Sequence, residues 1–196
     1  MQIFQDKQFH LESSFLFWFA VCVLIIPLEW LFSWIIAVAI HELSHYLILK
    51  LCRVQIYAIS ITSSGAIIET EPMPVYKEII SALAGPLGGL CVLSLARYFP
   101  VVAICAFFQS IFNLLPIYPL DGGRALHCCF LKMLGEKQGS ISFNCFQKYF
   151  TFFILLLSII ASCITKLPIL TILVVTLLLK CKQLKSPCKE EKQIVQ

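Results

Sequence analysis

The pentapeptide His41-Glu42-Leu43-Ser44-His45 has the form H-E-x-x-H. On a helix, residues four apart share a face, so both imidazoles reach one metal ion, and Glu42 approaches a water held there. The chemistry such a pattern supports is metal-assisted hydrolysis, with the carboxylate moving the proton. The pentapeptide lies inside a long apolar run. Inserting a glutamate into the middle of a membrane helix costs about 2.5–3.5 kcal/mol, so an ionisable residue there points to function. The bland alternative is a pair of histidines satisfied by neighbouring helices.

A catalytic zinc site takes three protein ligands and keeps one open position. Cys105 is a soft-ligand candidate, and the chain has only two aspartates, Asp6 and Asp121. Asp121 ends the run Asn113-Leu114-Leu115-Pro116-Ile117-Tyr118-Pro119-Leu120-Asp121, followed by Gly122-Gly123-Arg124. Pro116 and Pro119 remove two backbone donors, and the glycine pair loosens the backbone after Asp121. Irregular backbone at membrane depth is tolerated where protein buries it or a water-filled cavity takes it in. Both polar motifs fall near the cytoplasmic end of a span running outside to inside, so Asp121 can meet His41 and His45. The alternative for Asp121 is a helix-end or turn aspartate.

The elements that must hold these residues are set by composition. Of 196 residues, 59% are hydrophobic and 13% charged, against about a quarter charged in soluble domains. A soluble enzyme and a disordered chain are excluded. Apolar runs at 15–28, 30–51, 76–99, 101–115, 150–164 and 167–179 predict six membrane helices. The fold class is therefore an all-α polytopic membrane protein, with one small exception. Residues 55–70 are rich in β-branched and aromatic types around Ser63-Ser64-Gly65, which predicts a β-hairpin between helices two and three. Residues 122–146 read as a polar connection. Ala84-Gly85-Pro86-Leu87-Gly88-Gly89 carries small residues four apart, the spacing that lets helices approach closely in lipid.

With the N-terminus inside, thirteen of the fifteen Lys and Arg face the cytoplasm, and Arg97 and Lys166 fall outside. The positive-inside rule selects this orientation, placing both termini and the polar motifs toward the cytoplasm of a cell membrane. The net charge of +4 is scattered along the chain, so it is a topology signal and no nucleic-acid partner is expected. The ten cysteines include no C-x-x-C and read as small apolar fillers. Ala37-Val38-Ala39 looks like a signal-peptide cleavage site, but the apolar stretch is too long and its leading residues carry no net positive charge.

Taken in order, H-E-L-S-H, A-G-P-L-G-G and N-L-L-P-I-Y-P-L-D-G-G-R resemble the site-2 protease family of intramembrane zinc metalloproteases. The resemblance runs motif by motif over about residues 30–125. It implies that His41, His45 and Asp121 bind Zn2+, that Glu42 is the catalytic acid/base and that Asn113 helps position substrate. It further implies cleavage of a transmembrane or membrane-tethered protein within or near the bilayer. The compact bacterial branch includes the sporulation protease that frees a membrane-tethered sigma factor, so a tethered transcription factor is the expected kind of partner, with regulatory membrane proteins beside it. A single membrane-embedded domain over 1–196 is expected, without PDZ or CBS domain and with a short basic tail at 181–196. The alternatives are a catalytically inactive scaffold or a zinc- or proton-coupled transporter using the same ligands. A helical substrate hides its carbonyls in i→i+4 bonds and must unwind to be cut. The hairpin strand at 55–62 then offers an edge to which it could add.

Overall fold

The fold is described from a computed structural model over residues 8–11, 23–24, 26–62 and 65–165. The predicted span at 167–179 and the tail lie outside these residues, as does most of the span at 15–28. The chain divides into two compact units, Met1–Leu115 and Pro116–Gln196, each taken by itself.

In the first unit, helix α1 (Leu28–Leu51) carries the H-E-x-x-H pentapeptide. It starts directly after Pro27, with Glu29 in its first turn and Lys50 in its last, charges that complement the helix dipole. Arg53 adopts the left-handed conformation (φ 54°) just past its end. The Lys77 ammonium donates to the freed Cys52 carbonyl at 2.8 Å, satisfying a helix-end acceptor with a cation. Apolar residues surround α1 on all sides, yet the buried ones include Ala37, His41, His45 and Leu49, every fourth residue along one stripe. Leu43 and Leu47 face outward.

Helix α2 (Val75–Cys91) starts after Pro74 and runs on into a 3-10 turn, Val92–Leu95. Helix α3 (Pro100–Asn113) opens on Pro100, whose missing N–H costs nothing at a first helical position. The three helices meet through small residues. A Cβ on Gly88 would run into Ser44, and one on Gly89 into Ser110. Both serines donate back into their own helices, to the Ile40 and Ala106 carbonyls, each at 2.7 Å. No hydroxyl is stranded at these contacts. Gly88 lies by Ser44 and Ser81 by His45, so α1 and α2 are antiparallel. Gly89 lies by Ser110 while Val92 joins Ala37 and Ala106, so α2 and α3 are antiparallel and α1 and α3 parallel.

The predicted hairpin forms as β2 (Ile56–Thr62) and β3 (Gly65–Thr70), antiparallel, with a register shift between Ile56 and Ala58. Glu71 closes its base, its N–H bonding the Gln55 carbonyl and its carboxylate taking the Gln55 N–H, both at 3.1 Å. A further strand was not foreseen. β1 (Gln8–Leu11) pairs in parallel with β2, so the order is β1-β2-β3 and β2 is central. The edge expected on 55–62 is therefore taken, and among the described residues the outer edges of the sheet belong to β1 and β3.

In the second unit, the predicted polar connection at 122–146 is helical. It forms α4 (Asp121–Leu134) and the opening turns of α5 (Glu136–Thr165). Asp121, Ala125 and Cys128 are buried along one face of α4, and Gly123 is buried on the other side against the Ile117–Tyr118 backbone. Gly135 (φ 79°) separates the two helices. They then pack through Phe130, Phe143 and Phe146, with His127 against the Phe143 ring at 4.8 Å.

Three helical segments among the described residues are long and apolar enough to cross a membrane: Leu28–Leu51, Val75–Leu95 and Glu136–Ile164. The shorter apolar helix Pro100–Asn113 joins them. The chain is a mostly helical, multi-pass membrane protein with a small sheet.

Candidate metal centre

His41 and His45 sit one turn apart on the buried stripe of α1, with 3% and 7% of their surface exposed. Their Nε2 atoms are 3.2 Å apart. Two nitrogens bound tetrahedrally to one zinc at about 2.0–2.1 Å would be separated by about 3.3 Å. The pair is therefore spaced as two ligands of a single zinc ion. His45 Nδ1 lies 2.7 Å from the main-chain carbonyl of Ser81 on α2. A carbonyl can only accept, so Nδ1 carries the proton and the lone pair is left on Nε2, facing His41. Hydrogen bonds of this kind fix the tautomer of ligating histidines.

The glycine motif of α2 explains how its backbone comes so close. A Cβ on Gly85 would collide with Nε2 and Cε1 of His45 and with Cε1 of His41. The spacing of the motif predicts a packing role. Packing is what it does, and the surface that Gly85 packs on is the imidazole pair itself. Glu42 follows on α1 and is half-buried, next to the buried stripe.

Asp121, in the second unit, is the first residue of α4 and 8% exposed. A carboxylate in a first helical turn is favoured by the dipole. The loop before it turns through Pro116 and a cis Tyr118-Pro119 bond. Leu120 donates to the Ile117 carbonyl at 2.8 Å, and Arg124 N–H to the Leu120 carbonyl at 2.9 Å. Any Cβ on Gly123 would strike the backbone of Ile117 and Tyr118, so the second glycine of Asp-Gly-Gly is what lets this loop fold onto the helix start. Arg124 Nη1 is 4.0 Å from Asp121 Oδ1, at the limit of an ion pair.

The first unit offers two buried imidazoles and the second a buried carboxylate, donor types suited to zinc. Within either unit, no set of three such side chains among the described residues could hold a metal. Cys105, the soft-ligand candidate, packs instead against the apolar cluster of Ala37, Val92 and Ala106. Asn113 is the last residue of α3 and half-buried. His127, which the sequence places in a polar connection six residues past Asp121, is helical and packs on α5, with Ser140 Oγ 3.4 Å from Nε2. One polar group was missed from the sequence: Gln109, on α3, whose Oε1 is buried with no partner among the described residues. A lone amide in an apolar run was the available signal.

Comparison with known proteins agrees with this picture. The profile of Peptidase family M50 matches residues 73–158, which include the glycine motif and Asp121. A zinc metalloprotease of Methanocaldococcus jannaschii is 27% identical over 114 residues, covering 51% of this chain and 34% of that protein. The chain thus spans about a third of the length of that relative. The fold is similar to the solved structure of a site-2 protease from Methanocaldococcus jannaschii, with a TM-score of 0.64 and 19% identity over 93% of this chain and 92% of that one. Nothing in these relatives supports the sporulation setting suggested by the resemblance. In motifs, in family profile over residues 73–158 and in fold, the chain is similar to peptidase family M50 and to a site-2 protease.

Proposed function

We propose that this protein is an intramembrane zinc endopeptidase that cleaves a transmembrane or membrane-tethered protein within or near the bilayer, releasing its product to the cytoplasm. The observation that carries this reading is the His41–His45 pair, with Nε2 atoms 3.2 Å apart on the buried stripe of a 24-residue apolar helix. In this reading His41, His45 and Asp121 hold the ion. Bound zinc supplies Lewis acidity, which acidifies water toward a pKa of about 7 and stabilises negative charge on the scissile carbonyl oxygen.

The chain's own residues do the rest. Glu42 takes a proton as the water oxygen bonds to the peptide carbon, then delivers it to the amine nitrogen as the C–N bond breaks. Ser81, through its carbonyl, holds His45 in the tautomer that leaves Nε2 free. Asn113 helps to position the substrate. The open edge of β3 receives the unwound substrate as an added strand, because an extended peptide at the membrane surface needs partners for its N–H and C=O groups. The count of basic residues supports an orientation with both termini and the site toward the cytoplasm.

The test is co-expression with single-span tethered reporter proteins. Wild type should release the reporter, and Glu42→Gln should lose cleavage while still binding zinc. Equal cleavage by Glu42→Gln would remove the proposed mechanism.

A further inference from the structure

Gln109 Oε1 is buried, with no hydrogen-bond partner among the described residues. Buried side-chain oxygens with a purely structural role are normally bonded to a neighbour. Leaving one unpaired is most costly where water is scarce, as it is in the interior of a membrane protein. Along parallel α1 and α3, the apolar cluster joins Ala37 and Ile40 to Val102, Cys105 and Ala106. One turn further on, α1 presents His41 and Ser44, and α3 presents Gln109 and Ser110, with Asn113 a turn beyond. Gln109 thus stands at the level of the imidazole pair, on the α3 face that runs from Cys105 to Asn113.

We propose that Gln109 binds the substrate main chain: its Oε1 accepts an N–H from the segment unwound for cleavage, one turn away from Asn113. The proposal rests on the proteolytic reading above. Cleavage requires the substrate to be extended at the metal, and an extended chain brings unpaired N–H groups with it. A protein acceptor at that level replaces the intrahelical carbonyl the substrate has lost. The Gln109 side chain is half-buried overall, so rotation about its own χ angles presents the oxygen without any movement of α3.

The experiment uses the full-length, zinc-loaded protein in nanodiscs with a synthetic single-span peptide as substrate. Gln109→Met keeps length and flexibility and removes the acceptor. KM should rise about five-fold or more with kcat within about two-fold, the mark of lost binding. The thermal midpoint should hold or rise, because an unsatisfied buried group has been removed. N-methylation of the peptide at successive positions around the cut should find one site that weakens cleavage by wild type and adds nothing in Gln109→Met, showing coupling. An unchanged KM alongside normal, Glu42-dependent cleavage would overturn the role of Gln109 and leave the protease reading standing. A lower midpoint with kcat and KM both damaged would also overturn it, in favour of a packing role. Absence of any Glu42-dependent cleavage by wild type would overturn both.

Discussion

His45 donates from Nδ1 to the main-chain carbonyl of Ser81 at 2.7 Å, which ties the second histidine of the imidazole pair to the backbone of the neighbouring helix. Because the acceptor is backbone, the Ser81 side chain takes no part in it. Ser81→Ala should therefore keep zinc affinity and cleavage within about two-fold. His45→Ala, by contrast, should lower zinc affinity at least about 100-fold. Zinc competition titrations on both variants check this, and a large loss in Ser81→Ala would refute the main-chain assignment.

Gly85 separates two roles within one motif. Its missing Cβ leaves room for both imidazoles, while Gly89 makes the same allowance for the Ser110 hydroxyl. Gly85→Ala should lower zinc occupancy and activity together. Gly89→Ala should destabilise the fold by about 1–3 kcal/mol, as overpacking does. Adding Ser110→Ala should restore that stability, since the remaining contacts of a Cβ at Gly89 are 3.4 Å or longer. Thermal unfolding and metal analysis of the three proteins distinguish the cases.

Asp121 is proposed as the third ligand, and Gly123 as the residue that lets the loop before it close. Asp121→Ala should bind less than one zinc per chain and cleave nothing detectable. Gly123→Ala should show a weaker version of the same defect, because its Cβ strikes the Ile117 and Tyr118 backbone. Full zinc occupancy in Asp121→Ala would rule out the ligand role.

The sheet makes a directional prediction. With β2 central, the outer strands are β1 and β3, and the proposed substrate addition is at β3, the outer strand of the hairpin. Proline at the alternate β3 positions whose N–H points away from β2 should raise KM several-fold and leave the hairpin intact. If those variants cleave a tethered substrate with wild-type KM, strand addition is not how substrate is held.

Part of the candidate site was legible because its geometry is local. His41, Glu42 and His45 need only the helical repeat to share a face, and an uninterrupted apolar run supplies the helix. The hairpin was legible for the same reason, with alternating β-branched residues around a turn. β1 was not, because four residues pairing in parallel with a strand about fifty positions away leave no local pattern. Helix α4 was missed because its buried positions are Asp121, Gly123, Ala125 and Cys128, a set that composition alone assigns to a connection.

By itself, the sequence determined that the chain lives in a membrane, that His41, Glu42 and His45 stand together and that Asp121 has the right chemistry to join them. The tertiary structure decided which side of α1 faces inward. That helix is apolar all round, so no periodicity marks its buried stripe, and the choice is made by where small residues let a second helix approach. Gly85 and the Ser81 carbonyl occupy that stripe and orient the imidazole pair. Packing also singled out Gln109, since a missing partner is a property of neighbours in space and has no signature along the chain.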